Sequence, residues 1–286
     1  MCIIFKQNRE RTYMRSGKKI RRIFSKTFAI AEKNVRIQYR FKYVMILRYL
    51  NPIITILMPI IIFDSFFDFN ASFGPWTPQN YMIFVFIGYN IMLMRNMIVV
   101  IPRYLLQEKY WKTLPALITA PFNRFYLLAG YILSEFLGIL LPFLVVFIAM
   151  LIIFPLSIPT LIIVILMFFG IGIVFSGVGL FLGAFAISNE NYLYIFDFCV
   201  KFIFWLSCVT YPFQIFPTLV QNFINLNPIY YLIDIIRLTW IENNIIFSAN
   251  SHPMHISIFV ICLVIFPIIC VYMFNVIYKK LGISGY

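Results

Sequence analysis

The chain has 286 residues, of which 62% are hydrophobic and only 12% are charged. A soluble domain is roughly half apolar and about a quarter charged, so this composition and a mean hydropathy of +0.91 exclude a water-soluble globular fold. The formal net charge of +13 arises mainly from 14 Lys and Arg between Lys6 and Arg48, which is typical of a basic flank before a membrane segment and not of a nucleic-acid surface.

The N-terminal arm, residues 1–43, contains a segment with helical periodicity. Apolar residues recur every three or four positions from Ile20 through Phe28 to Tyr39, and the basic residues lie mainly on the other side. This pattern predicts an amphipathic helix lying along the inner leaflet of a membrane. A cytoplasmic helix packed on protein is the alternative.

The second region, residues 44–286, forms the predicted transmembrane domain. A membrane-spanning helix needs about 20 residues, and six apolar segments are that long. The predicted spans run from about Val44 to Phe67, Tyr81 to Pro102, Tyr126 to Pro155, Pro159 to Ile187, Asn191 to Tyr211 and Ile256 to Tyr278. Arg48 is expected to reach from the first span towards the membrane surface.

The segment from Pro212 to Phe247 is divided by prolines into pieces, and a seventh span there would place Lys279 and Lys280 outside the cell. Six spans instead place 20 of the 23 basic residues in the cytoplasm. We therefore expect an all-α polytopic membrane protein with six transmembrane helices and re-entrant or interfacial helices before the last span. Both termini are expected in the cytoplasm of a prokaryote, with the chain in its plasma membrane.

The chain offers few groups for catalysis. His252 and His255 have HxxH spacing, but neither a cysteine nor a carboxylate adjoins them in sequence, so no metal site is predicted. No catalytic residue is assigned. No Walker A sequence occurs, so any ATP hydrolysis, with its Mg²⁺, is expected on a separate subunit, and no cofactor is expected on this chain. Gly179-x-x-x-Gly183 indicates close helix packing and not a phosphate loop.

Four ionisable residues are predicted at membrane depth, where a charge is costly unless it is paired or faces water. Asp197 and Lys201 are four residues apart and are expected to pair across one helical turn. Arg95 and Glu135 are expected nearer the cytoplasmic surface. They either pair close to the lipid headgroups or line a polar route for a substrate.

The connection after the second span begins Gln107-Glu108-Lys109-Tyr110-Trp111-Lys112-Thr113-Leu114 and continues to Thr119-Ala120-Pro121. It resembles the cytoplasmic loop of ABC-2 type exporter permeases, although Lys112 stands where the family usually has Gly. The resemblance implies that a short helix in this loop docks into a groove of an ATP-binding subunit. The implied coupling residues are Glu108, Lys109, Thr113, Leu114, Leu117, Thr119 and Pro121.

A second segment, from Leu226 to Arg237, looks like the Asn-Pro segment of the same family, which is followed by an acid and then by an Arg three residues later. Asn227 and Pro228 match its start, and Asp234 and Arg237 match the charged positions. The spacing places Asp234 and Arg237 on one helical face, which predicts a stabilising ion pair. Direct contact with a substrate is the alternative.

Together these segments are similar to the permease subunit of an ABC-2 type exporter for a hydrophobic or lipid-linked substrate, such as a drug, a lipid or a polysaccharide. The resemblance implies a homodimer, or a heterodimer with a related permease, that forms a pathway in membrane lipid beside two ATP-binding subunits. An intramembrane lipid-modifying enzyme and a non-transporting scaffold remain the alternatives. No nucleic-acid partner is expected.

Overall fold

The computed structural model describes residues 24–67, 74–77, 79–112 and 124–281, and its regular elements are helices. Residues 24–40 form α1. The remaining elements are α2 (Lys42–Phe67), α3 (Tyr81–Tyr110), α4 (Arg124–Ile153), α5 (Ile158–Ser188), α6 (Asn191–Trp205), a 3₁₀ helix (Phe213–Ile215), α7 (Thr218–Asn225), α8 (Pro228–Glu242), α9 (Ile245–Ser251) and α10 (Pro253–Leu281). The predicted all-α class is confirmed.

Four helices of the described chain are long and apolar enough to cross a membrane: α3, α4 from Ala129, α5, and α10 up to Ile277. The 26-residue α2 coincides with the first predicted span. By contrast, α6 ends at Trp205 and not near Tyr211, and its 15 residues extend only about 22 Å, less than the roughly 30 Å of a hydrocarbon core. The chain is therefore a multi-pass membrane protein, but the predicted count of six spans is not confirmed.

Helix α5 is the centre of the bundle because its glycines admit neighbours on two faces. A Cβ atom at Gly179 would lie 2.8 Å from the carbonyl oxygen of Met97, so α3 approaches α5 closely there. On the other face, a Cβ atom at Gly170 would lie 2.7 Å from Leu263 Cδ1 of α10. The packing role predicted for Gly179 and Gly183 is confirmed.

Helix α3 passes through Pro102 and ends at Tyr110, beyond its predicted end. Proline removes one helical hydrogen bond, but it does not end a helix that is packed along its whole length. Gly183 lets α5 lie against this turn, since a Cβ atom there would be 3.4 Å from Pro102 Cα. As a result, α3 is one helix of 30 residues, about 45 Å long.

The two ends of the bundle differ in what they join. At one end, termed the α8 end, Asn243 follows α8 and accepts a hydrogen bond from the backbone nitrogen of Ser157 at 2.8 Å, which fixes the turn between α4 and α5. At the other end, termed the α1 end, α1 lies beside α4 and the last turn of α3, and that turn also contacts the connection between α5 and α6.

Helix α1 has three faces. Thr27, Ile30 and Gln38 face α4, where Gly130 and Gly138 leave room for them. Phe24 and Phe28 belong to the predicted apolar face, yet they are exposed beside this contact. The basic residues form the third face. The face that packs on protein therefore overlaps only in part with the predicted apolar face, because Ala31 of that face is buried whereas Phe24 and Phe28 are exposed.

Candidate functional site

Glu135 joins four helices at the α1 end. Its side chain is 0% exposed, and its carboxylate accepts hydrogen bonds from Gln38 of α1 at 2.6 Å, from Arg48 of α2 and from Tyr104 of α3. A buried carboxylate is stable only when it is paired and hydrogen-bonded, and these three donors meet that requirement. Glu135 therefore joins these helices through buried hydrogen bonds.

Arg48, near the start of α2, is paired with Glu135 of α4. It was expected to reach towards the membrane surface, but its guanidinium turns inward to Glu135, and only 12% of the side chain is exposed. The neighbouring Tyr49 donates a hydrogen bond to the carbonyl oxygen of Gly138 at 2.6 Å. Consecutive residues of α2 are thus fixed to α4. No pattern in the sequence indicates that these residues meet Glu135.

The last turn of α3 is held on both sides. Glu108 is buried and forms an ion pair with Lys33 of α1. On the opposite side, Lys109 donates a hydrogen bond to the carbonyl oxygen of Ile187 at 2.9 Å, and the Tyr110 hydroxyl donates to Glu190 at 2.5 Å. The final three residues of α3 therefore bind α1 and the connection between α5 and α6.

The predicted coupling segment follows directly after this turn. Trp111 and Lys112 follow the last residue of α3. Lys112 has a φ of 56°, a left-handed conformation that glycine adopts more easily. The family's glycine at this position fits that backbone. The other predicted coupling residues lie outside the described residues: Thr113, Leu114, Leu117, Thr119 and Pro121.

Three of the four ionisable residues predicted at membrane depth line one cavity of about 620 Å³, which lies between α2 on one side and α3 and α6 on the other. Arg95, Asp197 and Lys201 all line it. Asp197 and Lys201 form the predicted ion pair, at 2.7 Å. The Arg95 guanidinium lies 5.8 Å from the centre of the Phe204 ring. Glu135 is not part of this lining.

Arg237 binds backbone carbonyl groups in the turn that follows α6. The chain turns after Trp205, which leaves carbonyl oxygens without helical partners. Arg237 is fully buried and donates hydrogen bonds to the carbonyl oxygens of Cys208 at 2.7 Å and Val209 at 2.8 Å, while its guanidinium lies 3.5 Å from the Phe84 ring centre. Burial lowers the pKa of Arg237 to about 10, and Asp234 opposes this shift, so the side chain remains charged at neutral pH.

In the described residues Asp234 and Arg237 form no direct ion pair, although Asp234 is near enough to stabilise the charge of Arg237. Asp234 lies 3.3 Å from Nε2 of His255 and 3.5 Å from the Tyr230 hydroxyl, whereas the Arg237 fork is taken by backbone carbonyls. Helical spacing places the two residues on one side of α8, but the Arg237 guanidinium binds the carbonyl oxygens of Cys208 and Val209 in the turn after α6. The fold also brings Glu242 within 3.2 Å of His252, so carboxylates approach both histidines from α8.

Asn227 and Pro228 begin α8 and bind α6 at the same time. The Asn227 side chain accepts a hydrogen bond from the backbone nitrogen of Ile229 at 3.1 Å, which caps the helix, and Pro228 occupies a first-turn position where no backbone donor is needed. The amide nitrogen of Asn227 donates to the Ile203 carbonyl oxygen at 3.0 Å and to Ser207 Oγ at 2.8 Å. One asparagine therefore caps two helix ends.

Comparison with known proteins bears on all of these contacts. A search of curated proteins found no match. The family model described as ABC-2 type transporter matches residues 25–240, three quarters of the chain. The match runs from α1 into α8 and so includes the Glu135 contacts, the end of α3, the cavity and the Asn227 cap. On this evidence, the chain belongs to the ABC-2 type transporter family.

Proposed function

We propose that the chain is the permease subunit of an exporter that moves a hydrophobic or lipid-linked substrate and is driven by a separate ATP-binding subunit. Family membership implies such a partner, which would bind ATP and Mg²⁺. In this proposal, two permease copies enclose the pathway in the plasma membrane of a prokaryote. The α1 end faces the cytoplasm, where the partner binds.

The observation that supports coupling is the pair of contacts on the last turn of α3. Glu108 is bonded to Lys33 of α1, and Tyr110 is bonded to Glu190 before α6. Residues 113–123 come directly after this turn. A force that the partner applies to them would therefore act on α1, on α3 and on the connection between α5 and α6 at once.

The Glu135 contacts extend this coupling to α2 and α4. Because Glu135 binds side chains of α1, α2 and α3, these helices would move together when the partner closes on ATP. Helix α3 is about 45 Å long and packs on α5, so its movement would be transmitted towards the α8 end. A path between the two permease copies would open there.

Cross-linking tests the docking site. Single cysteines at Leu117 or Thr119, in an active complex, are expected to cross-link to the ATP-binding subunit. A cysteine at Met254, an exposed residue at the α8 end, is the matched control and should give no cross-link. If an active complex gives no cross-link from either loop position, the coupling assignment is refuted.

A second experiment separates coupling from binding. Tyr110→Phe removes the hydrogen bond to Glu190 but retains the ring, so the ATP-binding subunit should still bind while less substrate is exported for each ATP hydrolysed. Tyr194→Phe, on an exposed tyrosine of α6, is the control. Equal export per ATP in both variants would contradict the proposed route through α3.

A further inference from the structure

The cavity between α2, α3 and α6, which α1 also borders, has a polar wall and a mainly apolar wall, with Arg48 and Asn51 as the polar residues of α2. The polar wall carries Arg95, Arg103 and Gln107 of α3, together with the Asp197–Lys201 pair of α6. Val44 and Leu47 of α2 stand opposite, and both are exposed large apolar side chains. The cavity can therefore contact a charged group and a hydrocarbon chain of the same molecule.

The two arginines of the polar wall form no ion pair in the described residues, although Asp197 is close enough to Arg95 to attract it. Within the described residues, Arg95 makes no hydrogen bond and no ion pair, and its contact is the face of the Phe204 ring. Asp197, the carboxylate in the lining, is already bonded to Lys201. Arg103 likewise has no carboxylate partner in the described part of the chain. A cation at membrane depth is costly unless an anion or water compensates it, so this wall favours an anionic ligand.

The spacing of the two arginines suits a phosphate group. Arg95, Val99, Arg103 and Gln107 follow one another at intervals of four residues, so they form a single stripe on α3 that faces the cavity. Arg95 and Arg103 are about 12 Å apart along the helix axis, and their long side chains border the same space. Guanidinium groups bind phosphate oxygens through paired N–H donors, which makes them well suited to a phosphate ester.

The apolar wall distinguishes a lipid from a free anion. The exposed side chains of α2 continue from Val44 and Leu47 through Ile54 to Ile61, away from the α1 end. A hydrocarbon chain attached to a phosphate at Arg95 can lie along this face. Each CH₂ group that leaves water stabilises binding, a contribution that an inorganic ion does not make.

We propose that this cavity binds the headgroup of a phosphate-bearing lipid, with Arg95 and Arg103 contacting the phosphate and the hydrocarbon chain lying along α2. Lipid binding at this cavity does not depend on the proposed export function. Only the step that names such a lipid as the exported substrate rests on that function. Binding itself requires neither ATP nor the partner subunit, and it can be measured on the purified permease.

Native mass spectrometry of the full-length permease in detergent measures this binding. The ligands are dioleoyl phosphatidic acid, dioleoyl phosphatidylcholine and inorganic phosphate. We expect phosphatidic acid to bind most tightly and Arg95→Gln/Arg103→Gln to weaken its binding about tenfold or more, since a charge-assisted hydrogen bond contributes about 1.5–3 kcal/mol. Arg36→Gln, on an exposed residue of α1 that does not line the cavity, should bind like the wild type.

Two further variants guard against a misfolded protein. Arg95→Lys keeps the charge and should retain most of the affinity for phosphatidic acid. Val99→Trp fills the cavity without changing any charge and should reduce the affinity as the double Gln variant does. If Val99→Trp or Arg95→Gln/Arg103→Gln binds phosphatidic acid like the wild type, the lipid does not occupy this cavity and the inference is overturned.

The other outcomes are equally decisive. Equal affinity for phosphatidylcholine would exclude recognition of the anionic headgroup, and displacement of phosphatidic acid by equimolar inorganic phosphate would indicate a site for a soluble anion. Binding to the monomer but not to the dimer would show that a second copy covers the cavity. Any of these overturns the lipid site but leaves the export function standing, whereas failed cross-linking at Leu117 and Thr119 refutes the coupling and leaves the site intact.

Discussion

Glu135→Gln tests whether the four helices at the α1 end depend on one charge. The substitution keeps the size of the side chain but leaves Arg48, only 12% exposed, without a carboxylate. It also leaves Gln38, Arg48 and Tyr104 to compete for a single amide oxygen. Removing one partner of a buried pair costs about 3–5 kcal/mol, and we expect about 3 kcal/mol because one hydrogen bond can persist.

Thermal unfolding in detergent measures this loss. For a chain of this size, 1 kcal/mol corresponds to about 2–4 °C, so the Tm should fall by roughly 6–12 °C. Glu32→Gln is the matched control, because Glu32 forms an exposed ion pair with Arg36 on α1, and such pairs contribute at most about 1 kcal/mol.

A double variant separates the charge from the packing. Arg48→Met removes the cation that Glu135→Gln leaves unpaired, so the two changes together should cost at least about 1 kcal/mol less than the sum of the single variants. If the costs simply add, or if Glu135→Gln melts like Glu32→Gln, Glu135 does not hold these helices together through its charge.

Three other substitutions have clear expected outcomes in the same melting assay. Arg237→Lys keeps the charge but cannot hold both carbonyl oxygens, so it should lose about 1–3 kcal/mol; an unchanged Tm would contradict the capping role. Gly179→Ala places Cβ 2.8 Å from the Met97 carbonyl oxygen and should cost about 1–3 kcal/mol. Gly177→Ala should cost less, because its Cβ would lie 3.3 Å from the nearest atom, Pro267 Cα. Asn227→Ala should lose about 1–2 kcal/mol, and Asn225→Ala, which makes no such side-chain contact in the described residues, should not.

The fold class could be predicted from the sequence because membrane helices are recognised by local composition. Apolar length placed α5 and α10 closely, and the Pro155–Pro159 cluster placed the turn between α4 and α5. Helix ends were harder to predict. Pro102 suggested an end to α3, but the packing of α5 on α3 outweighs the loss of one hydrogen bond.

The candidate site could be predicted where partners are close in sequence. Asp197 and Lys201 are one turn apart on one helix, so their spacing was enough. The partners of Glu135 come from three other helices, up to 97 residues away, and no periodicity indicates such contacts. The partners of Arg237 could not be predicted for a related reason, because the carbonyl oxygens of Cys208 and Val209 become free to bind only when α6 ends early.

The hydrogen bonds from Asn227 and Arg237 have a consequence for the order in which the protein assembles. In lipid, an unsatisfied carbonyl costs several kcal/mol, so the end of α6 and the turn after it cannot keep their final form without these donors. Asn227 caps α8 and Arg237 lies within it, so both donors are synthesised after α6. The chain up to the turn after α6 must therefore enter the membrane in a provisional arrangement that becomes final only when α8 arrives.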